Sequence, residues 1–213
     1  MRIERSCDAL LVVDLQHDFL PGGALAVREG DEVVAPIARL APSFETVVAT
    51  QDFHPAGHVS FASAHAGRKP YEAVALPFGT QELWPDHCVQ GTRGAQLHAG
   101  LPDRALTLVL RKGTRRDVDS YSAFRENVGP DGTRLATGLA AWLEARGLRR
   151  VFVCGLARDF CVKWSALDAA ASHFETYLLD DLTRAVFPDR RAEVDATLAS
   201  AGVKVIKERD LEV

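Results

Sequence analysis

The stretch RRVFVCGLARDFCVKW, residues 149–164, decides the fold. Val151, Phe152, Val153 and Cys154 form a short apolar run that favours a strand, and Gly155 breaks it. The Ala-rich segment that follows reads as a helix with Asp159 as its N-cap. Cys161 then falls in the first helical turn, where unpaired N–H groups and the positive end of the macrodipole favour a thiolate. A lone cysteine at such a junction is more often a buried structural residue. The reading therefore turns on what converges with it.

Outward from this stretch, apolar runs of strand length recur at 9–13, 46–50, 105–110, 151–154, 176–179 and 203–206. Their continuity, as opposed to alternation, predicts strands covered on both faces. Helix-like segments lie at 32–41, 133–147, 160–173 and 190–202; Gly147 and Gly202 stand where C′ glycines belong, and Asp189 is placed to cap the last helix. The pattern predicts a doubly wound, three-layer α/β/α sandwich on a mostly parallel sheet of about six strands, one domain over 1–213. Residues 51–100, and to a lesser degree 119–132, lack periodicity, and loops that long are usually functional.

The totals narrow the function classes. A formal net charge of -4 with no basic stripe argues against a nucleic-acid surface. The apolar run at 9–13 is closed by Asp14 and is too short for a signal peptide or a membrane span, so the cytoplasm is the expected location. Cys7, Cys88, Cys154 and Cys161 lack CxxC spacing and read as free thiols, with a Cys154–Cys161 disulfide as the lesser alternative.

In a parallel sheet all the strands end on the same edge, and ligands bind there. Asp14 ends the first strand, Gln51 and Asp52 the second, Arg111 and Lys112 the third, and the Cys161 segment follows the fourth. Singly, Asp14 reads as a turn residue and Lys112 as a surface charge. Together they suit a cysteine hydrolase: Lys112 lowers the thiol pKa, Asp14 shuttles the proton, and N–H groups near Ala157 and Cys161 form an oxyanion hole. Asp52-x-His54, with His58 nearby and His87 in WPDHC, reads either as a divalent-metal shell or as loop histidines beside a turn-forming aspartate. His17, His65, His98 and His173 read as solvated or packed.

The motifs VVDLQHDFLPGGALAV (12–27), ATQDFHPAGHVSFAS (49–63), LWPDHCVQGTRGAQLH (83–98), RKG (111–113), DSYSAF (119–124) and CGLARDFCVKWSALDA (154–169) resemble, in order, those of the nicotinamidases among the isochorismatase-like cysteine hydrolases. The resemblance implies a catalytic triad of Asp14, Lys112 and Cys161, an oxyanion hole at Ala157 and Cys161, and a cis Leu156–Ala157 peptide. It implies a metal on Asp52, His54 and His87, with zinc first and iron or manganese as alternatives, and leaves His58 open as a further ligand. It also implies a ring pocket at Phe19, Trp84 and Tyr121, whose reading as single aromatics is core packing.

The implied substrate is nicotinamide, together with pyrazinamide, hydrolysed through a thioester in the service of NAD salvage. The chain departs from the family in Arg158, where Thr is common, and in Phe160, where Tyr is common; Arg158 points either to the pocket mouth or to solvent. Two rivals remain: a hydrolase of ureido or other small amides, whose members generally lack the Asp52, His54, His87 set, and a non-enzymatic metal- or redox-responsive binding protein. A homo-oligomer leaves no trace that one sequence reveals.

Overall fold

The structure, a computed structural model, describes residues 1–212. In chain order the elements are β1 (Asp8–Val13), α1 (Val34–Leu40), β2 (Thr46–Asp52), β3 (Ala73–Leu76), β4 (Gly79–Glu82), β5 (Leu108–Lys112) and α2 (Leu139–Glu144). They continue with β6 (Arg150–Leu156), α3 (Lys163–Ala171), β7 (Glu175–Arg184), α4 (Arg191–Ser200) and β8 (Lys204–Ile206). Six strands form one wholly parallel sheet in the order β5-β2-β1-β6-β7-β8. From β1 the chain winds outward to β2 and β5, then returns beside β1 and winds the other way. The winding reverses between β1 and β6, which is where a crevice opens at the strands' carboxyl ends.

The apolar runs of β1, β2 and β6 end up buried on both faces, whereas those of the edge strands β5 and β8, expected to be covered likewise, leave Val109 and Val205 exposed because no further strand or helix covers them fully. Along β1, Leu10 and Val12 join one core layer with Ile37, Phe44, Phe152 and Tyr177. Ala9, Leu11 and Val13 join the other, with Leu139, Leu143, Ala166, Ala169, Val194 and Leu198 from α2, α3 and α4. Each fully buried leucine, valine or phenylalanine contributes about 1.5–3 kcal/mol. Gly155 is required where β6 passes β1: at φ +105° a Cβ would lie 2.1 Å from the Val13 carbonyl oxygen.

Several boundaries differ from expectation. The helix expected over 133–147 shrinks to 139–144, because Arg125 and Ala136 pair as an extended bridge and Gly138 turns at φ +91° before the helix begins. The aperiodic 51–100 region contains the antiparallel β3–β4 hairpin, whose four-residue strands are too short to carry periodicity. Asp189 does not cap α4; it lies within a tight turn, Pro188–Arg190, and no side chain caps either element. The four cysteines are free: Cys154 faces one core layer and Cys161 the other, which precludes a bridge between them. Among the described residues no helix is long and apolar enough to cross a membrane.

Candidate active site and metal site

Cys161 sits one step away from its expected place. Between β6 and α3 the chain makes a single wide turn of π-helical geometry, Arg158–Val162, and Cys161 lies in it instead of in the first α-helical turn. Such turns recur at functional sites. The Ala157 carbonyl accepts from the N–H groups of Phe160 and Val162 and skips that of Cys161 between them. Among the described residues the Ala157 N–H meets no acceptor outside the sheet ladder. Leu156–Ala157 is a cis peptide. Asp159, expected to cap the helix, instead accepts from Val186 N at 3.0 Å and Phe187 N at 2.8 Å, because β7 brings those donors within reach.

Lys112, fully buried at the end of β5, joins the strand ends electrostatically. Its Nζ donates to Asp52 Oδ1 at 2.9 Å, to the Ser120 carbonyl at 3.0 Å and to Cys161 Sγ at 3.4 Å, which uses its three hydrogens. It also pairs with Asp14 Oδ2 at 2.9 Å without hydrogen-bond alignment, so that oxygen remains an unsatisfied buried acceptor. Asp14 Oδ1 accepts from the Thr50 hydroxyl at 2.6 Å. A ligating atom each from Asp14, Asp52 and Cys161 lies within 4.8 Å of the others. Thr50, Ser120 and Gln16 were not visible as site residues in the sequence, since hydroxyls, amides and backbone carbonyls become informative only once a partner is placed.

Burial sets the protonation states. It pushes the Cys161 thiol well above its ordinary range, outweighing the lowering by Lys112, while Asp14 and Asp52 push the same way. Lys112 thus acts in the expected direction but does not win against desolvation. Asp14 is likewise raised by burial, against the pull of Lys112. A neutral thiol therefore faces a carboxylate of raised basicity, a pair matched for proton exchange.

Beside this group stand Asp52, His54 and His87, with one ligating atom from each within 4.8 Å of the others. Asp52 Oδ2 lies 3.1 Å from His54 Nε2 and 3.5 Å from His87 Nε2. The other ring nitrogens face backbone carbonyls: His54 Nδ1 lies 2.9 Å from Gly113 O and His87 Nδ1 2.8 Å from Pro85 O. A carbonyl only accepts, so each Nδ1 carries a proton and each Nε2 is left facing Asp52. Two imidazoles oriented by carbonyls around one carboxylate fit a divalent transition metal. Gln16 braces this carboxylate by clamping the Asp52 backbone at both N and O, each at 2.8 Å. A parallel bridge between His54 and Val89 draws the His87 loop alongside.

His58 groups with His54 and Asp119, ligating atoms within 4.8 Å of one another, instead of with Asp52 and His87. Its Nδ1 meets Ser60 Oγ at 2.7 Å and its Nε2 the Val118 carbonyl at 3.1 Å, so both nitrogens are taken. Its ring lies 4.1 Å from that of His54, and burial, followed by the His54 charge, holds its pKa down at about 4. His17 and His98 pack edge to face, His65 bonds the Val59 carbonyl and His173 is exposed.

Between the two groups lies a narrow cleft lined by Asp52 and His87 and by Ala157 and Cys161. Phe19, Trp84 and Tyr121 all line it, as do Leu25, Asp119, Phe160 and Val186, which the sequence did not assign. Trp84 and Phe160 meet edge to face at 4.7 Å, and Trp84 Nε1 donates to Tyr121 Oη at 3.2 Å. The aromatic and apolar walls suit a flat ring.

A thiol, an ammonium and a carboxylate gathered at the reversal point of a doubly wound sheet are the arrangement of an α/β hydrolase, and proteins similar to this chain agree on that class. The family model described as Isochorismatase domain matches residues 8–210. The chain belongs to that isochorismatase family. It is 45% identical over 186 residues to a nicotinamidase of Acinetobacter baylyi, covering 87% of this chain and 85% of that protein. A solved Acinetobacter baumanii nicotinamidase/pyrazinamidase superposes with a TM-score of 0.92 at 42% identity, covering 98% of this chain and 99% of that one. A structure of PnC1 from L. infantum in complex with nicotinate gives 0.87 at 41%, covering 100% and 98%. A pyrazinamidase of Pyrococcus horikoshii in complex with zinc gives 0.75 at 35%, covering 94% and 98%.

Proposed function

We propose that the chain hydrolyses nicotinamide to nicotinate and ammonia, with Asp14, Lys112 and Cys161 as catalytic residues. The observation that carries this reading is the cleft itself, which brings the Asp52 and His87 side chains, aromatic walls, the Cys161 thiol and Ala157 into one lining. A pyridine carboxamide has a lone-pair nitrogen at one end and a reactive amide at the other, and it calls on both sets of groups at once.

In this mechanism Cys161 Sγ attacks the amide carbon while its proton passes to Asp14 Oδ2, the acceptor left unsatisfied in the fold. Negative charge develops on the amide oxygen, and the N–H groups of Ala157 and Cys161 receive it. Asp14 then protonates the amide nitrogen, the C–N bond breaks, and ammonia leaves a thioester. Asp14 takes a proton from the incoming water as the water oxygen bonds to the thioester carbon, the C–S bond breaks with that proton returning to Sγ, and the acid departs, giving its remaining proton to ammonia to become nicotinate. Lys112 holds its charge against Asp14, Asp52 and the developing thiolate throughout. Asp52, His54 and His87 would hold a divalent metal, zinc in our reading, which when bound supplies a Lewis-acid site for the ring nitrogen. Phe19, Trp84 and Tyr121 sandwich the ring. Pyrazinamide shares the ring nitrogen and the amide and belongs to the same substrate class. With nicotinate as its product, the reaction suits pyridine-nucleotide recycling, and we assign the enzyme to the cytoplasm.

The test is ammonia release from nicotinamide, pyrazinamide and a ureido compound, before and after chelation and metal restoration, with Cys161→Ala alongside. We expect turnover of the two ring amides that disappears on chelation and in the variant. Turnover confined to the ureido compound, or retained by Cys161→Ala, overturns the reading.

A further inference from the structure

Arg158 follows Ala157 directly, yet it points neither to the pocket mouth nor to solvent. It is 4% exposed and turns away from the cleft, toward β7 and α4. Nε and Nη2 donate to Asp180 Oδ1 at 3.2 and 3.0 Å, and Nη2 also reaches Asp195 Oδ1 at 2.7 Å. Asp180 is itself gripped by Arg191 Nη2, which lies 2.8 Å from each oxygen. The next residue, Asp159, fastens the same turn to the N–H groups of Val186 and Phe187. The wide turn is thus tied down through consecutive side chains.

A stability role alone explains this poorly. Among the described residues Arg158 Nη1 is buried without a partner, and an apolar side chain would avoid both that unmet donor and the desolvation of the charge. What the guanidinium provides is direction, because its rigid planar fork fixes a geometry that a flexible cation does not. The backbone it fixes begins at Ala157, whose N–H meets no acceptor outside the sheet ladder among the described residues and so owes its direction to its flanking residues.

We propose that Arg158 is a positioning residue: by tying the 157–161 turn to Asp180 and Asp195, it aims the Ala157 N–H at the oxygen that becomes negative during amide hydrolysis. The inference rests on the nicotinamide reading above. It predicts loss in the transition state without loss of ring binding. Complete loss of one such donor costs about 10²–10³ in kcat, and misdirection costs part of that.

The experiment compares wild type with Arg158→Ala, Arg158→Lys and Asp195→Asn in kcat and KM for nicotinamide, in nicotinate affinity and in inhibition by nicotinaldehyde. In the aldehyde adduct the Sγ–C bond forms, the carbonyl π pair becomes an oxyanion and the thiol proton passes to Asp14, so the adduct probes the oxyanion donors. We expect kcat to fall about 10- to 100-fold in Arg158→Ala and less in Arg158→Lys and Asp195→Asn. Nicotinaldehyde affinity should fall in step, while KM and nicotinate affinity stay within about threefold. Asp195 is partly exposed on α4, so its variant carries the test even where Arg158→Ala fails to fold. The inference is overturned by an unchanged kcat in these variants, or by nicotinate affinity falling together with kcat, which marks a merely structural residue. Absence of wild-type turnover removes the nicotinamide reading and this inference with it.

Discussion

Replacing Lys112 with methionine removes one ammonium from between two buried carboxylates while keeping most of the length of the side chain. Its Nζ lies 2.9 Å from Asp14 Oδ2 and 2.9 Å from Asp52 Oδ1. At an effective dielectric of about 20, each attraction amounts to roughly 6 kcal/mol before the cost of burying the charges is subtracted. Measured losses when one partner of a buried pair is deleted are about 3–5 kcal/mol, because the remaining charge has no compensation. In a chain of this length each kcal/mol moves the melting midpoint by roughly 2–4 °C, so Lys112→Met should melt about 6–20 °C below wild type. The assay is thermal denaturation of chelated and metal-loaded protein side by side. Loading should shrink the deficit, since a divalent ion gives Asp52 a second cationic partner, whereas Asp14 gains much less. A midpoint within about 2 °C of wild type in chelated protein refutes the view that this ammonium holds the strand ends together.

Three further outcomes are expected. Gly155→Ala places a Cβ 2.1 Å from the Val13 carbonyl oxygen at a positive φ, so it should destabilise by about 3 kcal/mol or more in denaturant titration; a loss below about 1 kcal/mol means that the β1–β6 approach relaxes freely. His87→Ala should weaken metal retention against a competing chelator at least about 100-fold while His65→Ala leaves it unchanged, and equal retention in both would move the metal elsewhere. For Asp180, burial works to raise the pKa but the Arg191 and Arg158 contacts hold it below the ordinary 3.8. Its stabilisation is therefore complete above that value and is lost as pH falls through the lowered one, so the melting gap between wild type and Asp180→Asn should close below about pH 4. A gap that stays constant between about pH 6 and 3 contradicts this linkage.

Much of the fold was legible because burial leaves a one-dimensional signature. The segments at 9–13, 46–50 and 151–154 are apolar without alternation, and a strand covered on both faces needs that pattern wherever it lies in the sheet. Polar residues that end such runs must lie at a strand end, so Asp14, Asp52 and Lys112 could be assigned to one edge before any strand order was known. The cysteine after Gly155 joined them through the same topology. The motif resemblance added the pocket residues Phe19, Trp84 and Tyr121, which as single aromatics read equally well as core.

What the sequence alone could not decide is where each polar group finds its partner. Asp159 and Asp189 both precede helices and both suggest caps, yet Asp159 spends its two oxygens on N–H groups that β7 brings near, and Asp189 caps nothing. Arg158 had two destinations on paper and took a third, Asp180 and Asp195, because the β7 and α4 surfaces meet behind the turn. The thiol's protonation went the same way: Lys112 supplies the expected lowering, but burial and two carboxylates outweigh it. Apolar burial is read from the residue's own character, since any neighbouring apolar surface will serve. Hydrogen bonds and charges need one particular partner at one distance, and for Arg158, Asp159 and Cys161 only the tertiary structure brings that partner into place.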